Sequence, residues 1–381
     1  MSILLNNLTL VVIYGLVNAL FIYKYLGQLI EPAQLIALLY FFFILCFAAI
    51  MLKQKKKFEA LVHLNQWIYP AVIIVLSLSL TLLMKQFDPH NINVGRYPAL
   101  HEWISRLIQG EFPYGSRTAP SGLPFLFILA IPFYFLGCLG CIQIFSFIVF
   151  ATLLYLRYRK NILNRFIILV LLVAAPSFQY EVVVRSELFS NMVVILVYLS
   201  AFEHWRHKSG FLSFILLGIA GGLLLSTRLI VFAIYLPFIG FFLFKQGQFL
   251  RFSVFALSTV VSFFLTLLPF ALWDFKMFVD YGPFSIQMSY LPKGVLVIFI
   301  GLCAYIGWAS KSLFSIYTWI TVILFSIVLT SFILAIAKHG WYSSVFQDRF
   351  DISYFCFTLP FLLISFKFSE DQEKPLEGVF V

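Results

Sequence analysis

The chain has 381 residues, 62% apolar, 19% aromatic and only 11% charged, with a formal net charge of +10 and a mean hydropathy of +0.98. So few charges cannot cover the surface of a soluble domain of this length, so the bilayer is the expected solvent. The positive excess sits in short links between apolar runs, where it reads as a topology signal and not as a nucleic-acid surface.

Apolar runs recur at roughly 3–23, 33–52, 67–84, 123–157, 166–177, 188–203, 211–226, 229–244, 253–272, 294–309, 313–337 and 352–367. They do not alternate as barrel strands would, so each reads as helix. The expected fold is all-α and polytopic, with about 11–13 membrane helices. The first run lacks a basic leader and a small-residue cleavage site, and reads as a retained span. No internal repeat or low-complexity tract stands out, so residues 1–368 form one membrane domain and 369–381 a short polar cytoplasmic tail. Five cysteines are scattered, and Cys138-Leu-Gly-Cys141 has redox spacing but lies in an apolar run without ligand partners, so no functional role is assigned to it.

The links Lys53–Lys57, Arg157–Lys160 with Arg165, Arg206–Lys208, and Lys245 with Arg251 are basic and are assigned to the cytoplasm. With Lys311 and the tail, that side holds 15 Lys/Arg and 6 Asp/Glu, against 11 and 10 on the other. The stretch Gly122–Arg157 fits this scheme only with an odd number of crossings. Either it contains a re-entrant or interfacial helix broken near Gly137–Gly140, or 166–177 is not a full span.

Five polar segments then share the outer side: 85–122, Phe178–Glu187, Ser226–Arg228, Trp273–Lys293 and Lys338–Asp351. The longest carries seven charged residues and two of the six histidines, His90 and His101. Within it, Leu100, Trp103, Ile104, Leu107 and Ile108 recur at helical spacing between Pro98 and Gly110, which predicts an amphipathic helix lying in the interface plane. Glu102 and Arg106 are an i,i+4 pair on it.

Three stretches carry a resemblance. They are Asp88 just after a span; Arg96-Tyr97-Pro98 through Gly110-Glu111-Phe112-Pro113-Tyr114; and Pro120-Ser121-Gly122-Leu123-Pro124 with Ile131-Pro132-Phe133-Tyr134. In layout this resembles the first outer loop of GT-C-type integral-membrane glycosyltransferases. The ending Asp348-Arg349-Phe350-Asp351, leading to Leu359-Pro360-Phe361, is similar to that of many members. The resemblance implies transfer of a hexose or mannose-like sugar from a polyprenyl-phosphate donor to a glycan or lipid acceptor, on the outer face of a bacterial inner membrane. It also implies an early acidic catalytic residue, here Asp88. Some branches carry paired D-x-D or E-x-D acids, absent from 85–122, so a divalent metal is compatible with the family but no paired motif supports one here.

The chemistry assigns the remaining roles. A carboxylate can take the acceptor proton, which suits Asp88. A lipid phosphate needs cations, and Arg228, Arg185 and Arg349 are candidates. Arg228 has no acidic neighbour in sequence and reads either as a phosphate ligand or as a snorkelling interfacial arginine. Arg185 lies between Glu181 and Glu187 and can pair with one of them. Arg96, His101 and Arg117 are candidates for meeting donor or acceptor, Asp274 and Asp280 for binding sugar hydroxyls, and Tyr281 for stacking on a sugar ring. Two other readings share much of this pattern. One is a transporter or flippase for a lipid-linked saccharide, which would show charges within its spans; the other is a polysaccharide polymerase or ligase.

Overall fold

A computed structural model describes residues 3–54, 67–89, 91, 95–118, 120–159, 161–205, 210–246, 249–288 and 291–367; among them it is built of helices, with no strand. His90, residues 55–57, residues 206–208 and the tail 369–381 lie outside the described residues. The order is α1 (Ile3–Phe21, continued by a π-helical turn Ile22–Leu26), α2 (Ala33–Lys53), α3 (Ile68–Lys85), α4 (Tyr97–Ile108), α5 (Pro124–Phe135), α6 (Cys141–Arg157), α7 (Ile162–Val173), α8 (Pro176–Val183) and α9 (Leu188–Trp205). There follow α10 (Phe211–Leu225), α11 (Val231–Gln246), α12 (Phe249–Trp273), α13 (Phe275–Asp280), α14 (Pro283–Met288), α15 (Lys293–Ala309), α16 (Leu313–His339), α17 (Trp341–Phe346), a 3₁₀ stretch (Ile352–Thr358) and α18 (Leu359–Ile364).

Six of these helices are long and apolar enough to cross a bilayer, or up to eight if two bent pairs each count as one span; five shorter apolar helices accompany them. Large apolar side chains such as Phe43, Leu82, Leu265 and Val297 stand outward on α2, α3, α12 and α15. In water such a surface would aggregate; against acyl chains it costs nothing. The chain is therefore a polytopic helical membrane protein.

Side-chain contacts fix two polar ends. At one, Lys24, Arg96, Ser121, Glu187, Arg228, Asp348 and Asp351 meet across the whole length of sequence. At the other, Asn7 bonds the Lys367 backbone, Tyr158 donates to the Ile364 carbonyl, and Arg157 lies over the Tyr317 ring. Helices α1 and α16 run from the second end to the first. We call these the acidic rim and the basic rim, because Glu181, Glu187, Asp348 and Asp351 gather at the first and Arg157, Arg159 and Arg165 at the second.

The stretch after Gly122 is resolved by a break. Helix α5 has only 12 residues, and the chain turns at Gly137, whose φ of +66° favours glycine. Gly140 then sits against Met84, at the end of α3, and against the Arg185 side chain. The turn, closed by a Cys138–Cys141 disulfide, thus lies at the acidic rim, and α6 alone runs to the basic rim. One net crossing results. The expected 166–177 span also differs. It is the kinked pair α7 and α8, bent by 58°, because Pro176 opens α8 and forces Ala175 into an extended conformation.

Helix α4 forms where the sequence places an amphipathic helix, and protein covers much of its apolar face: Trp103 is fully buried, stacked on Phe127 at 4.2 Å and tilted against Phe270 at 5.6 Å. Helices α5 and α12 supply the cover that the sequence pattern assigned to lipid. Helices α10 and α12 approach closely through Gly218 and Gly222; a Cβ at Gly218 would lie 2.6 Å from the Phe255 carbonyl oxygen, and one at Gly222 would strike that of Thr259. In lipid, where apolar burial gives little, such close packing is a main source of helix association.

Candidate functional site at the acidic rim

The site is assembled by backbone contacts before side chains enter it. The first amides of α5 have no partner within their own helix. Leu123 and Phe125 donate theirs to the carbonyls of Thr227 and Ser226, at 3.0 Å each. This ties the exit of the long loop to the turn that carries Arg228. Gln287 of α14 closes the third side, accepting from the Leu229 amide at 2.9 Å and donating to the Ser121 carbonyl.

Ser121 is the shared centre. Its hydroxyl accepts from Arg96 Nη1 at 2.9 Å and from Arg228 Nη1 at 3.4 Å. Arg96 Nη2 also pairs with Asp351 Oδ2 at 2.7 Å, and its guanidinium lies 4.5 Å from the centroid of the Tyr354 ring. Burial alone would raise the Asp351 carboxyl. Arg96 and the Ser353 amide outweigh burial and hold it below the usual carboxylate range. Arg228 Nη2 pairs with Glu187 Oε1, and the two side chains are 3% and 4% exposed. Lys24 Nζ meets Asp348 Oδ1 at 2.6 Å. Glu181 accepts from the amides of Leu188 and Phe189 at 3.1 and 3.2 Å, capping α9 just beyond Glu187.

A cavity of about 550 Å³ opens beside this cluster, between α11, α12, α14, α15 and α16. Its walls are mostly apolar, among them Leu236, Phe263, Phe264, Phe299 and Ile300; its polar lining residues include Arg228, Gln287, Lys293 and Tyr354. Its volume is that of a small-molecule site.

The predicted residues divide into three groups. Arg228 and Arg96 belong to the cluster, and Arg228 lines the cavity. Arg185 stands beside it. It pairs with neither nearby glutamate, and donates instead to the carbonyls of Phe87 at 2.9 Å and Met84 at 3.3 Å, just where α3 ends. Its φ of +54° is a strained value for a non-glycine residue. The remainder stand apart from the cavity lining. Asp88 is exposed, accepting from Asn91 Nδ2 at 3.1 Å, on the loop that Arg185 holds. His101 lies between the rings of Tyr97 and Tyr134, at 5.8 and 5.1 Å. Arg117 is exposed and gives its backbone amide to Glu102; with the Thr118 hydroxyl also donating, the Glu102 carboxyl is held below its ordinary value despite partial burial. Arg349 is exposed and donates its amide to the Ser343 carbonyl. Asp274 caps α13 through the Met277 amide at 2.9 Å, and Asp280 and Tyr281 are exposed.

Ser121, Gln287 and Glu187 complete the cluster without having been singled out as site residues. No local pattern gives the first two this role: Ser121 meets partners 25, 107 and 166 positions away. Among the described residues, no group of three or more His, Cys, Asp or Glu side chains could hold a metal ion.

The fold and this site together define a multi-pass helical membrane protein with a buried charged cluster beside an apolar cavity. Compared with known proteins, the chain matches no family model, no curated protein and no solved structure.

Proposed function

We propose that the protein is a membrane glycosyltransferase that moves a hexose-like sugar from a polyprenyl-phosphate donor to an acceptor at the acidic rim. The observation that carries this reading is the cavity: an apolar chamber of about 550 Å³ with a buried arginine on its lining. An isoprenoid chain matches the apolar walls, and the phosphate matches Arg228, whose planar guanidinium suits phosphate oxygens. The sugar, being polar, stays outside the chamber. A base for the acceptor hydroxyl therefore belongs on the exposed surface and not in the cavity, which is where Asp88 stands. Arg185 anchors the Phe87 carbonyl and so limits where Asp88 can move.

The acidic rim faces away from the cytoplasm in this reading. Two independent features support that sidedness. Of the basic links, the described Arg157, Arg159 and Arg165 lie toward the opposite rim, and the Cys138–Cys141 disulfide suits an oxidising compartment.

The test is a transfer assay with purified protein in liposomes, using a polyprenyl-phosphate hexose. Asp88→Asn is expected to lower transfer by roughly 10²–10⁴-fold, the usual contribution of a general base, with unchanged insertion and thermal unfolding. Full activity in that variant removes Asp88 from the chemistry. Movement of the lipid-linked sugar across the bilayer without transfer would support a flippase instead.

A further inference from the structure

Sugar transfer gives the Cys138–Cys141 disulfide no chemistry, and the turn that it closes is held without it. Helix α5 ends with the Cys138 amide on the Phe133 carbonyl at 3.0 Å and the Gly137 amide on the Tyr134 carbonyl at 2.9 Å, with Gly137 at a φ of +66°. Helix α6 begins with the amides of Cys141, Ile142 and Gln143 turned back onto the carbonyls of Cys138, Leu139 and Gly140. Backbone bonds thus fix the chain on both sides of the bridge. The bridge itself joins residues three apart. So short a loop has little freedom in the unfolded chain, and closing it adds little stability.

Its surroundings are those of a reactive pair. Cys138 and Cys141 are half-buried, whereas Cys303 and Cys356 are buried. Gly137 is exposed and a Cβ there would meet nothing within 4 Å, so the Cys138 side is open to an incoming group. The Arg185 side chain packs against Gly140, which lies between the two cysteines in the chain. The ion pairs among the described residues include none for Arg185. Cys141 is the first residue of the 17-residue helix α6. An unpaired cation and the positive end of a helix both favour negative charge on a departing sulfur.

We propose that Cys138–Cys141 is a thiol–disulfide exchange site that takes two electrons from a dithiol at the acidic rim. One thiolate of that dithiol attacks the Cys138 Sγ. The bond to the Cys141 Sγ breaks, and Cys141 leaves as a thiolate that takes a proton from water. The donor's second thiol gives up its proton and attacks its own sulfur in the mixed disulfide, releasing Cys138, which is protonated in turn. The chain ends as a dithiol and the donor as a disulfide. The donor is of one chemical class, a protein or small molecule with two closely spaced thiols. None of this depends on the transferase reading.

The experiment uses purified full-length protein in non-ionic detergent, with dithiothreitol as the dithiol. Cys46→Ala removes the exposed free cysteine, and alkylation with peptide mass spectrometry reads each thiol. Reduction is expected to be at least as fast in the folded protein as in protein unfolded with dodecyl sulfate and urea. The reduced protein is expected to keep its thermal midpoint to within about 5 °C, because the bridge is not a staple. Acid quenching during reaction with 2-mercaptoethanol is expected to trap the mixed disulfide on Cys138. Slower reduction in the folded protein than in the unfolded one, or a larger fall in the midpoint, would mark an inert structural bridge and overturn the proposal. Adducts confined to Cys141 would overturn it as well.

Discussion

At the scale of single residues, the site depends on the Arg228–Glu187 pair. Both side chains are almost completely buried, so neither charge is left to water if the other is removed. Breaking one partner of such a pair typically costs about 3–5 kcal/mol, whereas replacing both with apolar side chains is often neutral. Glu187→Leu alone is therefore expected to lower thermal stability in detergent strongly, and the double variant Glu187→Leu/Arg228→Leu to recover most of it while losing donor binding. A double variant as unstable as the single one would show that the pair is not the source of the loss. This pair was half legible in the sequence. Arg228 stood out because no acid lies near it in the chain, and that isolation is what left its nature open. Its partner is 41 positions away, on the approach to another helix, and no local pattern announces such a contact. Arg185 shows the converse. Glutamates lie four positions before it and two after, yet its guanidinium goes to the carbonyls of Met84 and Phe87 at the end of α3.

At the scale of elements, close helix approach replaces the hydrophobic drive that water supplies elsewhere. The α10–α12 contact is the clearest case. Gly218 and Gly222, four apart on one face, let the backbone of α12 come close. Gly222→Val is expected to cost about 1–3 kcal/mol or more through overpacking against the Thr259 backbone. Gly301→Ala, on α15 where nothing lies within 4 Å, is the control and is expected to be neutral or slightly stabilising. Equal effects of the two would mean that the close approach does not carry the packing. The two glycines were not singled out from the sequence, because hydropathy alone does not say which face of a span meets another helix. Other element boundaries were partly legible for physical reasons. The break near Gly137–Gly140 was one of two readings that length and charge left open, the other being that 166–177 is not a full span. The protein cover of α4 was not legible, because an apolar stripe facing lipid and one facing Phe127 and Phe270 have the same period.

For the whole molecule, the separation into an acidic and a basic rim is what allows a site to exist. Contacts between residues more than 300 positions apart, such as Lys24 with Asp348, close the acidic rim into one surface. Composition alone established the membrane class, because 11% charge leaves no other solvent for so many apolar side chains. The cavity was beyond reach of the sequence: its walls come from six helices, the 3₁₀ stretch Ile352–Thr358 and the segments that join them, and most of the side chains they contribute would look the same facing lipid. The central claim is that a lipid-linked donor lodges its chain in that chamber. Photo-crosslinking tests it most directly, with a diazirine placed on the isoprenoid chain of a polyprenyl-phosphate hexose and the adducts mapped by peptide mass spectrometry. Adducts are expected on cavity residues such as Leu236, Phe263 and Phe299, and to be lost when unlabelled donor competes. Adducts confined to the outward faces of α2 and α3, for instance Phe43 and Leu82, and insensitive to competitor, would contradict it.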